Sequence, residues 1–147
     1  MENKINRFVK YPVIIIATVI CISGIRWLVS SEPWILDQVA NEERLAMTFN
    51  ELFLIEGNDT LAAYLKQIYR FLGLYVFGTG LMLIVFAANK FFKEKSFRNK
   101  YLIVLGILLF SNIFLAYFWI PSSHFIYIMW GAISLYLVSL YNHVRMQ

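Results

Sequence analysis

Charged side chains that could bind a ligand are concentrated around the first two apolar segments of the chain. Arg26 lies about one helical turn before the end of the first segment, and Arg70 begins the second. Glu51 and Glu56 lie in the polar stretch between them. Guanidinium groups bind phosphates and carboxylates through strong, charge-assisted hydrogen bonds. We therefore consider a ligand-binding site that these two arginines and two glutamates would form together.

A structural role also explains these residues, and it is the role we favour for Arg26. Charged residues within a membrane span tend to face protein or water. From one turn inside the span, the long Arg26 side chain can extend to the membrane surface. It can also form an ion pair with one of the nearby acids, which are Glu32, Glu51 and Glu56. Arg70 follows Lys66 by one helical turn, so the two cations share a helix face and can anchor the second segment at the interface.

Asn112 is a polar residue near the middle of the third apolar segment, with Ser111 beside it. In a membrane, such an amide normally hydrogen-bonds to a neighbouring helix, which is worth about 0.6 kcal/mol on average. We expect that role for Asn112, and contact with a ligand is the functional alternative.

The remaining reactive side chains do not suggest a reaction. His124 precedes the fourth apolar segment and His143 lies beyond it, so we expect them on opposite sides of a membrane, unable to share a metal. No pair of His, Cys, Asp or Glu has ligand spacing on one helix. Cys21 is the single cysteine and cannot form an internal disulfide. We predict no catalytic residue, no metal and no cofactor, and we favour a protein that is not an enzyme.

The composition indicates a membrane protein. Of the 147 residues, 60% are hydrophobic and 15% are charged, whereas soluble domains have roughly 45–50% apolar and about 25% charged residues. The net charge of +4 resides in short blocks between apolar segments. Because position explains these charges, we do not expect nucleic acid as a partner. The length suits a single membrane domain over residues 1–147.

Four apolar segments are long enough to cross a bilayer, which takes about 20 residues of helix. They are residues 11–29, 71–88, 101–120 and 125–141. The segments are continuous rather than alternating, and backbone groups in lipid must be satisfied within the segment, so we predict helices. Pro121 ends the third segment, and Ser122 or Ser123 can cap the fourth. The predicted fold class is all-α, an integral membrane four-helix bundle.

The charges between the segments predict the orientation. Lysine and arginine dominate the amino-terminal tail, residues 89–100 and the carboxyl tail, whereas residues 31–70 are mainly acidic. Short cytoplasmic loops carry an excess of Lys and Arg. We therefore expect both termini in the cytoplasm and residues 31–70 on the outer side, with the lipid bilayer as the surrounding partner.

The outer segment has a helical pattern of its own. Asn41 resembles a helix N-cap followed by acids in the first turn. Apolar residues then recur along one helix face, at Leu45, Phe49, Leu52 and Phe53. Gly57 can end this helix, and Asp59 or Thr60 can cap a new one that runs into the second span. We predict a short amphipathic helix that serves as a lid over the bundle or as a docking surface for a lipid or protein.

Small residues recur at helical spacing in the first two spans. They are Ala17, Cys21 and Gly24 in the first span, and Gly73, Gly80 and Ala87 in the second. Small side chains let helix backbones approach closely in membranes. We therefore predict that these residues form helix-packing seams.

The chain resembles the DoxX-like group of four-span bacterial membrane proteins, in particular an uncharacterised branch. The resemblance is carried by Ser31-Glu32-Pro33-Trp34, by Arg70-Phe71-Leu72-Gly73, by Gly80, and by Ala87-Ala88 before a basic loop. It implies a four-helix bundle in a bacterial plasma (inner) membrane, and it implies no activity.

Three functions are consistent with these features. The first is a non-enzymatic accessory, scaffold or protective subunit, with a membrane-protein partner or a second copy of the chain. The second is a lipid or small-molecule site, possibly enzymatic, at the outer end of the bundle. The third, a transporter subunit, requires a polar face along the spans, for which only Ser111, Asn112 and Ser134 are available. A cavity in contact with Arg26 would favour the second function.

Overall fold

The computed structural model describes residues 5–146, which are helical apart from short connections and contain no strand. In chain order, the α-helices are α1 (Tyr11–Val29), α2 (Gln38–Leu45), α3 (Phe49–Leu54), α4 (Leu61–Ala88), α5 (Lys95–Trp119) and α6 (Phe125–Arg145). A π-helical turn, Asn6–Lys10, leads directly into α1. Two 3₁₀ turns, Pro33–Asp37 and Lys90–Lys93, precede α2 and α5.

Helices α1, α4, α5 and α6 are long and apolar enough to cross a membrane, which confirms the four predicted apolar helices. Three helices extend beyond their predicted apolar segments. Helix α4 begins at Leu61, α5 begins at Lys95 and α6 ends at Arg145. Hydropathy marks only the apolar part of a helix, whereas backbone hydrogen bonding continues into the polar flanks. Thr60 directly precedes α4, so the predicted helix start is confirmed, but the Thr60 side chain does not form the predicted capping hydrogen bond.

The long helices place their connections at two ends of the bundle. At one end, which we call the lid end, the hairpin of residues 120–124 contacts residues 31–45, which belong to the lid (residues 31–60). A hydrogen bond of 2.6 Å from Ser123 to Asp37 joins the two there. At the other end, the basic end, Ser139 donates a hydrogen bond of 3.1 Å to the Val9 carbonyl. The basic segments are therefore together at one end, and the acidic segment is at the other.

Small residues set the closest helix contact, between α1 and α4. A Cβ added at Gly80 would lie 2.7 Å from the Cys21 backbone nitrogen and 2.8 Å from the Ala17 carbonyl oxygen. A Cβ added at Gly73 would lie 2.8 Å from the Gly24 carbonyl oxygen. The predicted small-residue packing seams are confirmed, and the structure shows that they meet in one interface, between the first two spans.

The apolar core fills the half of the bundle nearest the basic end. Its largest fully buried side chains include Val13, Ile16, Phe92, Leu102 and Leu105. Helices α4 and α5 are joined in this half, where the Tyr101 hydroxyl donates to the Leu83 carbonyl at 3.0 Å. Nearer the lid end, the four helices enclose a cavity instead.

The outer segment differs from its prediction. It forms two short helices rather than one, because Ala46 adopts the left-handed conformation (φ 55°) and ends α2. Thr48 and Glu51 then form a reciprocal capping box that starts α3. The expected N-cap at Asn41 is wrong, since α2 begins at Gln38 and Asn41 lies inside it.

The seam makes a prediction for two glycines of the same helix. In Gly80→Ala, the new Cβ meets backbone atoms of α1, and overpacking of this kind costs about 1–3 kcal/mol in unfolding free energy. In the control, Gly78→Ala, the Cβ meets nothing within 4 Å, so we expect no loss, or a gain of up to about 1 kcal/mol from helix propensity. Denaturation of the purified variants in detergent measures the unfolding free energy of each. Equal destabilisation by the two substitutions would contradict close packing at Gly80.

Candidate functional site

A cavity of about 560 Å³ lies between the four long helices in the half nearest the lid. Its wall is largely apolar, with side chains from each long helix that include Ile20, Val76, Leu109, Met129 and Ala132. Ligand pockets commonly have volumes of roughly 300–1,000 Å³ and apolar walls with a few polar groups. The size and the lining therefore suit a ligand with a large apolar part.

The cavity opens sideways between α4 and α5. Tyr75 on α4, and Leu115 and Trp119 on α5, line it and are nevertheless 72%, 51% and 50% exposed. Near the basic end, the hydrogen bond between Tyr101 and Leu83 joins these two helices. An elongated molecule can enter through the gap without passing the lid.

Polar groups gather where the cavity meets the lid. Asp37, Asn41 and Tyr69 line this part of the wall. The Asn41 amide nitrogen donates to the Trp34 carbonyl at 3.0 Å and to the Tyr69 hydroxyl oxygen at 3.2 Å. Within residues 5–146, the Asn41 side-chain oxygen and the Tyr69 hydroxyl hydrogen have no hydrogen-bond partner, so one acceptor and one donor remain for a ligand.

The lid is attached to the hairpin between α5 and α6. The Ser123 hydroxyl and the His124 imidazole both contact the Asp37 carboxylate, at 2.6 and 3.2 Å. The Ser122 hydroxyl donates to Glu43, and the Arg44 guanidinium lies 4.9 Å from the centre of the Trp119 ring. These contacts hold Asp37 at the end of the cavity.

Asn112 is the predicted site residue that lies in the cavity wall. Its amide nitrogen donates to the Leu108 carbonyl of its own helix at 2.7 Å. The hydrogen bond we expected to another helix is not formed among the described residues, because the side chain turns back along α5. On α4, Thr79 also lines the cavity and donates to the Tyr75 carbonyl at 2.8 Å.

The other predicted site residues lie outside the cavity lining. Arg26, Arg70 and Glu56 are exposed, and within residues 5–146 no ion pair joins either arginine to Glu51 or Glu56. Glu51 accepts hydrogen bonds of 2.8 Å from the Thr48 backbone N–H and hydroxyl, which lower the pKa of its carboxyl. As ligand contacts these four residues remain predictions, and the cavity does not contact Arg26.

A second polar cluster, at the basic end, was not anticipated from the sequence. Arg98 is only 4% exposed, and its Nε donates to Nδ1 of His143 at 2.9 Å. Its Nη1 donates to the Phe92 and Lys93 carbonyls at 3.1 and 2.9 Å. The cluster joins α5, α6 and the turn before α5, and we interpret it as a structural tie. In the sequence, Arg98 was one of several basic loop residues, and nothing local marked it as buried.

The tie predicts a large effect of removing the guanidinium. Arg98→Met removes the hydrogen bonds that the guanidinium donates to two carbonyls and an imidazole, so we expect a loss of about 2–4 kcal/mol in unfolding free energy. Lys100→Met, at an exposed position two residues later, is the control and should change stability little. Chemical denaturation in detergent measures both, and an unaltered Arg98→Met protein would show that the tie contributes nothing.

Within residues 5–146, no group of three or more His, Cys, Asp or Glu side chains is arranged to hold a metal ion. Comparisons with protein-family models, with curated proteins and with solved structures each find no match to this chain.

Proposed function

We propose that this chain is a multi-pass membrane protein that binds a lipid-like molecule in the cavity between its four long helices. One observation carries the proposal: the cavity has an apolar wall, a sideways opening between α4 and α5, and a polar end under the lid. A water-soluble ligand would not need an opening on the apolar flank of the bundle, whereas a molecule dissolved in the bilayer would enter the cavity through such an opening.

The surface of the bundle supports insertion into a membrane. Large apolar side chains are exposed along all four helices, for example Ile22, Val85, Phe114 and Leu137. In soluble proteins, contiguous apolar patches rarely exceed a few hundred Å². In a membrane, the same surface faces lipid, and the helices satisfy their own backbone groups.

The charges at the two ends support an orientation. Exposed cations at the basic end include Arg7, Lys90, Lys95, Lys100 and Arg145. By the positive-inside rule, we place this end and both termini in the cytoplasm and the lid outside. The resemblance to DoxX-like proteins supports a bacterial plasma membrane as the location.

The dimensions of the cavity suit an elongated ligand that lies along the helices. On α5 the lining extends from Leu108 to Trp119, a distance of about 16 Å at 1.5 Å per residue. An apolar chain would occupy this length, and the headgroup would meet Asp37, Asn41 and Tyr69 under the lid. Binding of this kind fits an accessory or protective protein as well as a lipid carrier.

The proposal is tested by filling the cavity. A photoreactive long-chain alcohol that carries a diazirine and an alkyne is added to membranes containing the full chain, and the labelled peptides are mapped after irradiation. We expect labelling in residues 69–79 and 108–120. Ala132 lines the wall of the cavity, so Ala132→Phe places a ring inside it and should abolish most of the labelling.

The matched control is Ala88→Phe, an exposed position at the end of α4 that does not line the cavity. It should leave the labelling unchanged. Labelling spread evenly over the lipid-facing surface, and equal in both variants, would refute a bound lipid.

A further inference from the structure

We infer that the cavity selects a lipid with an uncharged, hydroxyl-bearing headgroup, such as a long-chain alcohol, and rejects lipids with anionic headgroups. The inference rests on the proposed function, because it concerns the same cavity. It adds the chemical class of the ligand and the residues that recognise it.

Charge is the first argument. Asp37 is the one charged side chain among the described residues that line the cavity. The arginines that could attract a phosphate or sulfonate at this end, Arg26, Arg44 and Arg70, lie outside the lining. Like charges repel more strongly in an apolar cavity than in water, because the dielectric constant is lower. An anionic headgroup at the lid end would therefore bind poorly.

The Asp37 carboxylate can also accept a hydrogen bond from a ligand. His124 contacts Asp37 at 3.2 Å, but its side chain is 49% exposed and does not line the cavity. Ser123 approaches the carboxylate from the hairpin. A carboxylate has about four lone-pair sites, so these two contacts leave acceptor capacity on Asp37, which lines the cavity, and a ligand O–H can donate there.

Asn41 and Tyr69, which line the cavity with Asp37, also have hydrogen-bonding capacity that the described residues do not use. Within the described chain, the Tyr69 hydroxyl hydrogen has no acceptor and the Asn41 side-chain oxygen has no donor. A hydroxyl headgroup is both donor and acceptor. It can donate to Asp37 or Asn41 and accept from Tyr69. A sulfonate cannot donate, and a quaternary ammonium can neither donate nor accept.

The test compares two amphiphiles that share a chain and differ in headgroup. Dodecanol and dodecanesulfonate compete with the photoreactive alcohol for the full-length protein in phosphatidylcholine vesicles. For the unmodified chain, we expect dodecanol to compete at concentrations at least about tenfold lower, the size of one charge-assisted hydrogen bond.

Two substitutions assign this preference to residues. Asp37→Asn should weaken the binding of dodecanol about tenfold. It should strengthen the binding of dodecanesulfonate, because the repelling charge is removed. Asp59→Asn makes the same change at an exposed position outside the cavity and is the control. Tyr69→Phe should weaken the binding of dodecanol and should leave the binding of dodecanesulfonate unchanged or weaker. Its control is Tyr64→Phe, because Tyr64 is exposed on the same helix.

The outcomes separate the two proposals. If dodecanesulfonate competes as well as dodecanol with the unmodified chain, selectivity for a neutral headgroup is overturned and lipid binding stands. If Asp37→Asn weakens both amphiphiles equally, Asp37 only holds the lid, and the inference also falls. If neither compound competes and the Ala132→Phe protein is labelled by the photoreactive alcohol as strongly as the unmodified chain, the proposed function fails.

Discussion

The apolar flank of the four-helix bundle is the constraint on which the rest of the structure depends. Large side chains such as Phe114, Leu115 and Val85 are exposed on it, and exposing apolar surface to water costs about 25 cal/mol per Å². The insertion into a bilayer that we propose would remove that cost. It would also account for the confinement of charges in the described chain to the two ends and for a cavity that opens on the apolar flank.

The packing of the bundle varies between interfaces and along its length. Between α1 and α4, the residues Gly24, Gly73 and Gly80 bring the two backbones into contact. Close to the basic end, Leu102, Leu105 and their neighbours are buried in the apolar core. Close to the lid, α4 and α5 separate and their side chains line the cavity. Asp37, held by Ser123 and His124, lies at the end of this cavity. The lid thus supplies two of its polar groups, Asp37 and Asn41, and α4 supplies Tyr69.

Much of this architecture could be predicted from the sequence. The four apolar helices and the small residues of the seam could be predicted, because apolar length and residue spacing are local properties of each helix. The break at residues 46–48 was missed, although Thr48 and Glu51 form a recognisable capping signature. The burial of Arg98 against His143 could not be predicted, because it depends on how two distant helices meet.

The candidate site was predicted less well, for a physical reason. A cavity is a volume that side chains fail to fill, and no residue pattern encodes it directly. Charge directed attention to Arg26, Arg70, Glu51 and Glu56, whereas the cavity is lined by Asp37, Asn41 and Tyr69, which looked like ordinary lid and helix residues. Of the predicted residues, Asn112 alone belongs to the lining. Its position in an apolar segment was the useful signal.

The central claim is that the four helices span a bilayer with the lid and the basic end on opposite sides. Cysteine labelling tests it most directly, because Cys21 is the chain's single cysteine and can be replaced by alanine. In that background, Asn50→Cys in α3 and Lys95→Cys at the start of α5 are exposed positions. With a membrane-impermeant maleimide on intact cells, the cysteine at position 50 should react at once and that at position 95 only after permeabilisation. Reaction of both from the same side would contradict the claim.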